Sequence, residues 1–148
     1  MSSIGFRKID IDLYDPENYN DEDLHNQEEV IDIPNESEVT SLISSRRAIE
    51  ALNLVLKNPP LNTKNQQLKE TAFQLVMRVL CSFSNSNEID KAVKSLNEQS
   101  LDVLMKYIYK GFEKDPKDAA QLLNWHEKAY AIGGNGCIMR VLSGRSRV

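Results

Sequence analysis

Long apolar runs are missing from this 148-residue chain. Nowhere do apolar residues approach the roughly 20 in succession that a bilayer-spanning helix needs, so the sequence predicts no membrane insertion. Cysteine is scarce. Cys81 and Cys137 stand far apart with no Cys-x-x-Cys spacing, which excludes a disulfide scaffold and reads as two reduced thiols on apolar helix faces of a cytoplasmic protein. Histidine is equally scarce. His25 is set among acids, and His126 has no second histidine placed to complete a metal site, so no metal and no cofactor are expected. The opening MSSIGFRKIDID reaches acidic residues without an apolar stretch, and no secretory leader is expected.

Catalytic signals are also lacking. Gly133-Gly134-Asn135-Gly136 follows a helical pattern instead of a strand, and no Gly-Lys-Ser/Thr closes it, so helix termination explains it better than phosphate binding. His126 and Glu127 adjoin, but neighbouring helical positions point about 100° apart and cannot act on one group. No serine or cysteine has a recognisable base. The sequence predicts no enzyme.

Charge is present but unevenly placed. Residues 1–40 hold twelve acidic side chains against Arg7 and Lys8, a net −10. The remainder holds sixteen basic and ten acidic side chains, a net +6. A mild basic excess spread over helices is a solvated surface, and no nucleic-acid partner is expected.

The body reads as helices. Leu101, Leu104, Met105, Ile108 and Phe112 share one face of a helix in which Asp102, Lys106 and Lys110 form a single charged stripe. That helix is expected at the centre of the core. Before it, Val39, Leu42, Ile43, Ile49, Leu52, Val55 and Leu56 trace a helix opened by Asn35 or Ser37, interrupted at Arg46-Arg47 and ended by Asn58-Pro59-Pro60. Thr63-x-x-Gln66 suggests a capping box for a helix whose inner face is Leu68, Ala72, Leu75, Val76, Val79, Leu80 and Phe83. A shorter helix carries Ile89, Ala92, Val93 and Leu96. Asp115-Pro116 restarts the chain, with Ala119, Leu122, Leu123, His126 and Ala129 facing inward, and a last short helix runs from Ile138 to Leu142. About six helices with short loops predict an all-α, antiparallel, superhelix-like domain over 36–148. Tyr109 and Trp125 are candidates either for packing or for anchoring an interface.

Residues 1–35 read differently, as an extended, partly disordered arm. In Phe6-Arg7-Lys8-Ile9-Asp10-Ile11-Asp12-Leu13-Tyr14, Ile9, Ile11 and Leu13 alternate with Lys8, Asp10 and Asp12, the pattern of a half-buried strand. The body has no strand to pair with it, so the segment is either disordered or docked on a partner in extended form. Pro16 to about Glu36 is acidic and apolar-poor, suiting a solvated tether. Val30-Ile31-Asp32-Ile33-Pro34 interrupts it as a second contact point.

Several runs, in order, resemble the 16-kDa subunit (subunit 5) family of the actin-related protein 2/3 complex. They are Lys57-Asn58-Pro59-Pro60-Leu61-Asn62-Thr63-Lys64, Leu104-Met105-Lys106-Tyr107-Ile108-Tyr109-Lys110-Gly111-Phe112-Glu113, Trp125-His126-Glu127-Lys128-Ala129 with Gly133-Gly134, and Arg140-Val141-Leu142. The arm, Phe6-Arg7-Lys8-x-Asp10-x-Asp12-x-Tyr14-Asp15, is similar as well. The resemblance implies a helical, non-catalytic subunit of a hetero-oligomer that nucleates branched actin filaments. It implies a body packed on subunits 4 and 1, and an arm, Phe6 to Tyr14, that reaches actin-related protein 2. Contact with actin filaments would be indirect, and the location cytoplasmic, at cortical actin structures. The competing reading is a free-standing helical adaptor whose arm docks on an unrelated partner.

Overall fold

Side-chain caps and conformational breaks divide the body into its helices. The computed structural model describes residues 32–148 apart from Asp115 and Arg145, so Phe6–Tyr14 and the rest of 1–31 lie outside the described residues. Within the compact unit Ile31–Val148, six helices follow one another: α1 (Glu36–Ser44), α2 (Ala48–Lys57), α3 (Gln66–Ser82), α4 (Ser86–Lys94), α5 (Glu98–Lys114) and α6 (Ala119–Ser143). A 3-10 turn, Pro116–Asp118, joins the last two. The described residues contain no strand, and the fold is all-α.

Asparagine opens four of these helices, and at the start of α5 Asn97 Oδ1 accepts from the Ser100 N–H at 2.7 Å. The Oδ1 of Asn35 accepts from the backbone N–H of Ser37 at 3.1 Å, that of Asn65 from Gln67 at 3.0 Å, and that of Asn85 from Asn87 at 3.0 Å. Each bond satisfies a donor that the first helical turn leaves unpaired. At α3 this corrects the Thr63/Gln66 capping box. Asn65 is the cap, and Thr63 instead accepts from the Asn65 N–H through its hydroxyl. The helix expected across 39–56 is in fact two, because Arg46 adopts a φ of 60° and turns the chain between α1 and α2.

Apolar burial then assembles the layers. α3 contributes Phe73, Leu75, Val76, Val79 and Leu80, and α5 contributes Leu101, Leu104, Met105, Tyr107 and Ile108. As expected, α5 is the central element: α6 covers its length, and α2 and α3 pack against it. Close approach of α6 depends on Gly111, where a Cβ would stand 2.6 Å from Leu122 Cδ1. Two details differ from expectation. α5 begins earlier, at Glu98, and Leu123 faces outward at 59% exposure while Trp125 takes the inward position.

One buried group lacks a partner. Tyr107 is fully buried, and its hydroxyl has no hydrogen-bond partner among the described residues. Leaving a hydroxyl unpaired in a core costs on the order of 1–3 kcal/mol. Tyr107→Phe is therefore expected to raise stability by about 1 kcal/mol, read as a higher urea midpoint. Burial also pushes Tyr107 ionisation well above its ordinary value of 10.0. A raised pKa means the folded state holds its proton more tightly, so this contribution is complete below pH 10.0 and declines above it. Burial, then the nearby Asp102 carboxylate, likewise raises Cys137 from 9.0 to about 11. Its share is lost between those values, and the Phe variant should remove only the part lost above pH 10.0.

Candidate interaction surface

The sequence leaves packing and interface anchoring both open for Tyr109 and Trp125, and the structure places them differently. Trp125, offered as a candidate interface anchor, instead takes the packing alternative: it is fully buried where α6 meets α3. Its ring meets Phe83 edge-on at 5.0 Å, and its indole N–H donates to the Leu80 carbonyl at 3.2 Å. Gln121, one turn earlier on α6, donates to the carbonyls of Leu80 (3.2 Å) and Phe83 (2.6 Å). The last carbonyls of a helix have no partner within it. Trp125 and Gln121 supply those partners for α3, so their role is structural. The Gln121 role has no signal in the sequence, since it arises only where α6 crosses the end of α3.

Tyr109 remains half-buried at the surface of α5. Its hydroxyl and His126 Nε2 are hydrogen-bonded at 3.1 Å, and the His126 ring stacks on Tyr130, with centroids 6.4 Å apart and planes inclined by 6°. Phe112 closes the cluster, 6.1 Å from Tyr109. His126 is thus engaged with aromatic rings and not with Glu127. Among the described residues, no three metal-ligating side chains gather, and no helix is long and apolar enough to cross a membrane.

The charged stripe of α5 is occupied rather than merely solvated. Asp102 accepts from Arg140 at 2.7 and 3.0 Å, tying the end of α6 to α5. Lys106 donates to the backbone oxygen of Ser146 at 3.0 Å, and Lys110 to that of Val148 at 2.8 Å. Lys69, from α3, donates to Arg147 at 2.9 Å. Three ammonium groups from two helices thus hold the segment 146–148, and the Val148 side chain is buried beneath it. Lys110 is half-buried, and burial, with Lys114 nearby, lowers its pKa from the ordinary lysine value. Lys114 pairs with Glu70, and that bond holds the Glu70 carboxyl below its usual range. Lys110 and Lys114 also stand over the Phe73 ring, 5.2 and 5.1 Å from its centre.

Ile33, expected in a second external contact point, packs instead against the body's own core. With Pro34 it lines a small cleft between α2 and α3, facing Val55, Asn58, Ala72 and Leu75.

Helix α6 carries the remaining exposed apolar residues. Leu123, Tyr130, Ile132, Met139 and Leu142 are the large exposed apolar residues among the described residues, and all lie on this one helix. They do not share one face, since Leu123 and Ile132, nine residues apart before the kink, point to opposite sides of the helix. Midway along α6, Gly134 (φ 62°, ψ −163°) breaks the helical path, which resumes at once toward Ser143. The expected glycine terminator is thus a kink, with Cys137 buried just beyond it.

Residues 5–148 match the family model described as ARP2/3 complex 16 kDa subunit (p16-Arc). The chain is 51% identical over 148 residues to actin-related protein 2/3 complex subunit 5-C of Xenopus laevis, covering 99% of this chain and 96% of the relative. It is 46% identical over 152 residues to the subunit 5-like protein of Homo sapiens, with the same coverages. Similarity extends to a probable subunit 5 of Caenorhabditis elegans, 37% identical over 151 residues and covering both chains fully.

Proposed function

The chain belongs to the ARP2/3 complex 16 kDa subunit (p16-Arc) family, and on that premise we propose that it acts within such a complex as a non-catalytic structural subunit. The observation that carries this reading is the extent of the match, which runs from residue 5 to residue 148 and so takes in arm and body together. Its partners are other subunits of the complex, and its setting is the actin cytoskeleton. The body packs on the small subunits, chiefly subunits 4 and 1. The arm, Phe6 to Tyr14, holds actin-related protein 2.

The chemistry of the arm supports its half of the proposal. Ile9, Ile11, Leu13 and Tyr14 provide apolar contact, while Arg7, Lys8, Asp10 and Asp12 set register through charge. An extended segment of this alternation suits addition along a partner's surface, with side chains entering alternate pockets. A tether between this arm and the body would raise the local concentration of the arm at a neighbouring subunit without tight binding. The placement of Ile33 and Pro34 against α2 and α3 gives that tether a fixed root.

Replacing Ile9, Ile11, Leu13 and Tyr14 together with serine should leave helix content and melting of the body unchanged. Branched nucleation by complex rebuilt with the variant should fall on the order of tenfold, since losing buried anchors typically removes more than 1.4 kcal/mol. Pyrene-actin assembly measures the rate. Nucleation equal to wild type would overturn the role of the arm.

A further inference from the structure

We propose that the cleft along α5, bordered by the end of α6 and reached by Lys69 from α3, is a recognition site for a short extended peptide, and that its ligand is the chain's own segment 146–148. The inference goes beyond the subunit reading and does not depend on it, because every group it uses lies within the helical body.

Register is the first observation. Lys106 and Lys110 stand one turn apart on α5, about 6 Å along its axis. They donate to the backbone oxygens of Ser146 and Val148. Extended chain advances about 6.6 Å over two residues, so the two spacings match and the segment runs alongside α5. Gly144 already has extended backbone, with φ −67° and ψ 137°. Successive carbonyls of an extended chain point to opposite sides. The intervening oxygen, that of Arg147, is accordingly taken by Lys69 of α3 and not by α5.

Exposure is the second. The side chains of Ser146 and Arg147 face solvent, and only that of Val148 is buried, at 6% exposure. A segment merely packed onto the body would bury side chains and leave its backbone wet. Here the body grips backbone oxygens through ammonium groups and admits one apolar side chain. Grooves that bind extended peptides divide the work in this way, with main-chain bonds giving affinity and a pocket giving specificity. Bonds from ionised donors are also stronger than neutral ones. The three lysines are half-buried, so their stems form the walls while their charged ends reach the ligand.

The third observation is space. An open volume of about 250 Å³ adjoins the segment, bordered by Tyr109, Val141, Leu142 and Val148 itself. The occupant therefore has a route out of the cleft, and an equivalent peptide a route in, without displacement of the helices.

The test uses the full-length chain, labelled with 15N, and a synthetic peptide with the sequence of residues 144–148. Val148→Asp puts a charge in place of the buried side chain and should vacate the cleft. Val148→Ser stands in should the charge disturb folding. Added to millimolar concentration, the peptide should shift the amide signals of 106–110 and 141–142 in the vacated chain. It should bind there at least about tenfold more tightly than to wild type, in which the tethered segment competes at a millimolar effective concentration. Lys106→Met/Lys110→Met in the vacated chain should abolish the shifts, and so should Val148→Asp in the peptide. Unshifted signals in the vacated chain, or the same affinity for wild type, would overturn the site. Equal binding of the Val148→Asp peptide would reduce the contact to general attraction by lysines and overturn its recognition of an apolar residue.

Discussion

Trp125→Ala is expected to destabilise the helical body by about 3–5 kcal/mol, the range for removing a buried aromatic side chain. Trp125 is fully buried, and its removal leaves a void against Phe83 at the junction of α3 and α6. The void loses both transfer free energy and packing contacts, because surrounding helices relax only partly around it. The Leu80 carbonyl also loses one of its two donors, though Gln121 remains within 3.2 Å. That residual bond is why the effect belongs to packing rather than to an orphaned carbonyl. With domain stabilities of 5–15 kcal/mol, such a loss consumes a large share, and the melting temperature should fall by on the order of 15 °C. Thermal unfolding by circular dichroism measures it. Trp125→Phe separates the two contributions: it retains much of the volume and loses the N–H, and should cost clearly less than alanine. A change in Tm under about 3 °C for the alanine variant would contradict the buried placement of Trp125.

Gly134→Ala is expected to destabilise by about 1–3 kcal/mol, although the added methyl group meets no steric obstacle. A Cβ at this position would have no atom within 4 Å, so crowding is excluded as the cause. The penalty lies in the backbone. A φ of 62° with ψ of −163° belongs to a region that only glycine enters freely. Alanine favours continued helix, and a straightened α6 would redirect the segment that carries Cys137 into the core and Arg140 onto Asp102. Two readouts distinguish this from generic destabilisation. Hydrogen exchange should rise selectively in 135–143, and a semisynthetic D-alanine at 134, whose preferred φ is positive, should restore stability. Equal behaviour of L- and D-alanine would rule out the conformational explanation.

Much of the architecture was legible because helix signals are local. Pro59-Pro60 ends α2, Asn35 is one of the two caps expected for α1, and the single polar stripe of α5 marks a helix enclosed on its other sides, whereas the Asn65 cap of α3 was hidden by the competing Thr63-x-x-Gln66 pattern. The break at Arg46 was visible as an interrupted pattern, but the left-handed backbone that makes it a turn between two helices was not. Nor was the use made of Lys106 and Lys110. A charged stripe reads the same whether it meets water or the backbone oxygens of a returning segment 40 and 38 residues away. The alternation of Phe6–Tyr14 is visible in the sequence for the same local reason, while its docking on a partner is the proposal made above.

Helix α6 shows where local information stops. It carries apolar residues on opposite sides, Leu122, Trp125 and Ala129 on one and Leu123, Tyr130, Ile132 and Met139 elsewhere, so its periodicity does not select an inner face. The sequence by itself determined that this stretch is helical, that glycine interrupts it, and that the chain is a packed body joined to an acidic arm. Which side of α6 turns inward was decided only by the tertiary structure. Gly111 admits Leu122 against α5, and the end of α3 offers unpaired carbonyls that Trp125 and Gln121 satisfy. Those two constraints bury Leu122, Trp125 and Ala129 and leave Leu123, Tyr130, Ile132 and Met139 exposed.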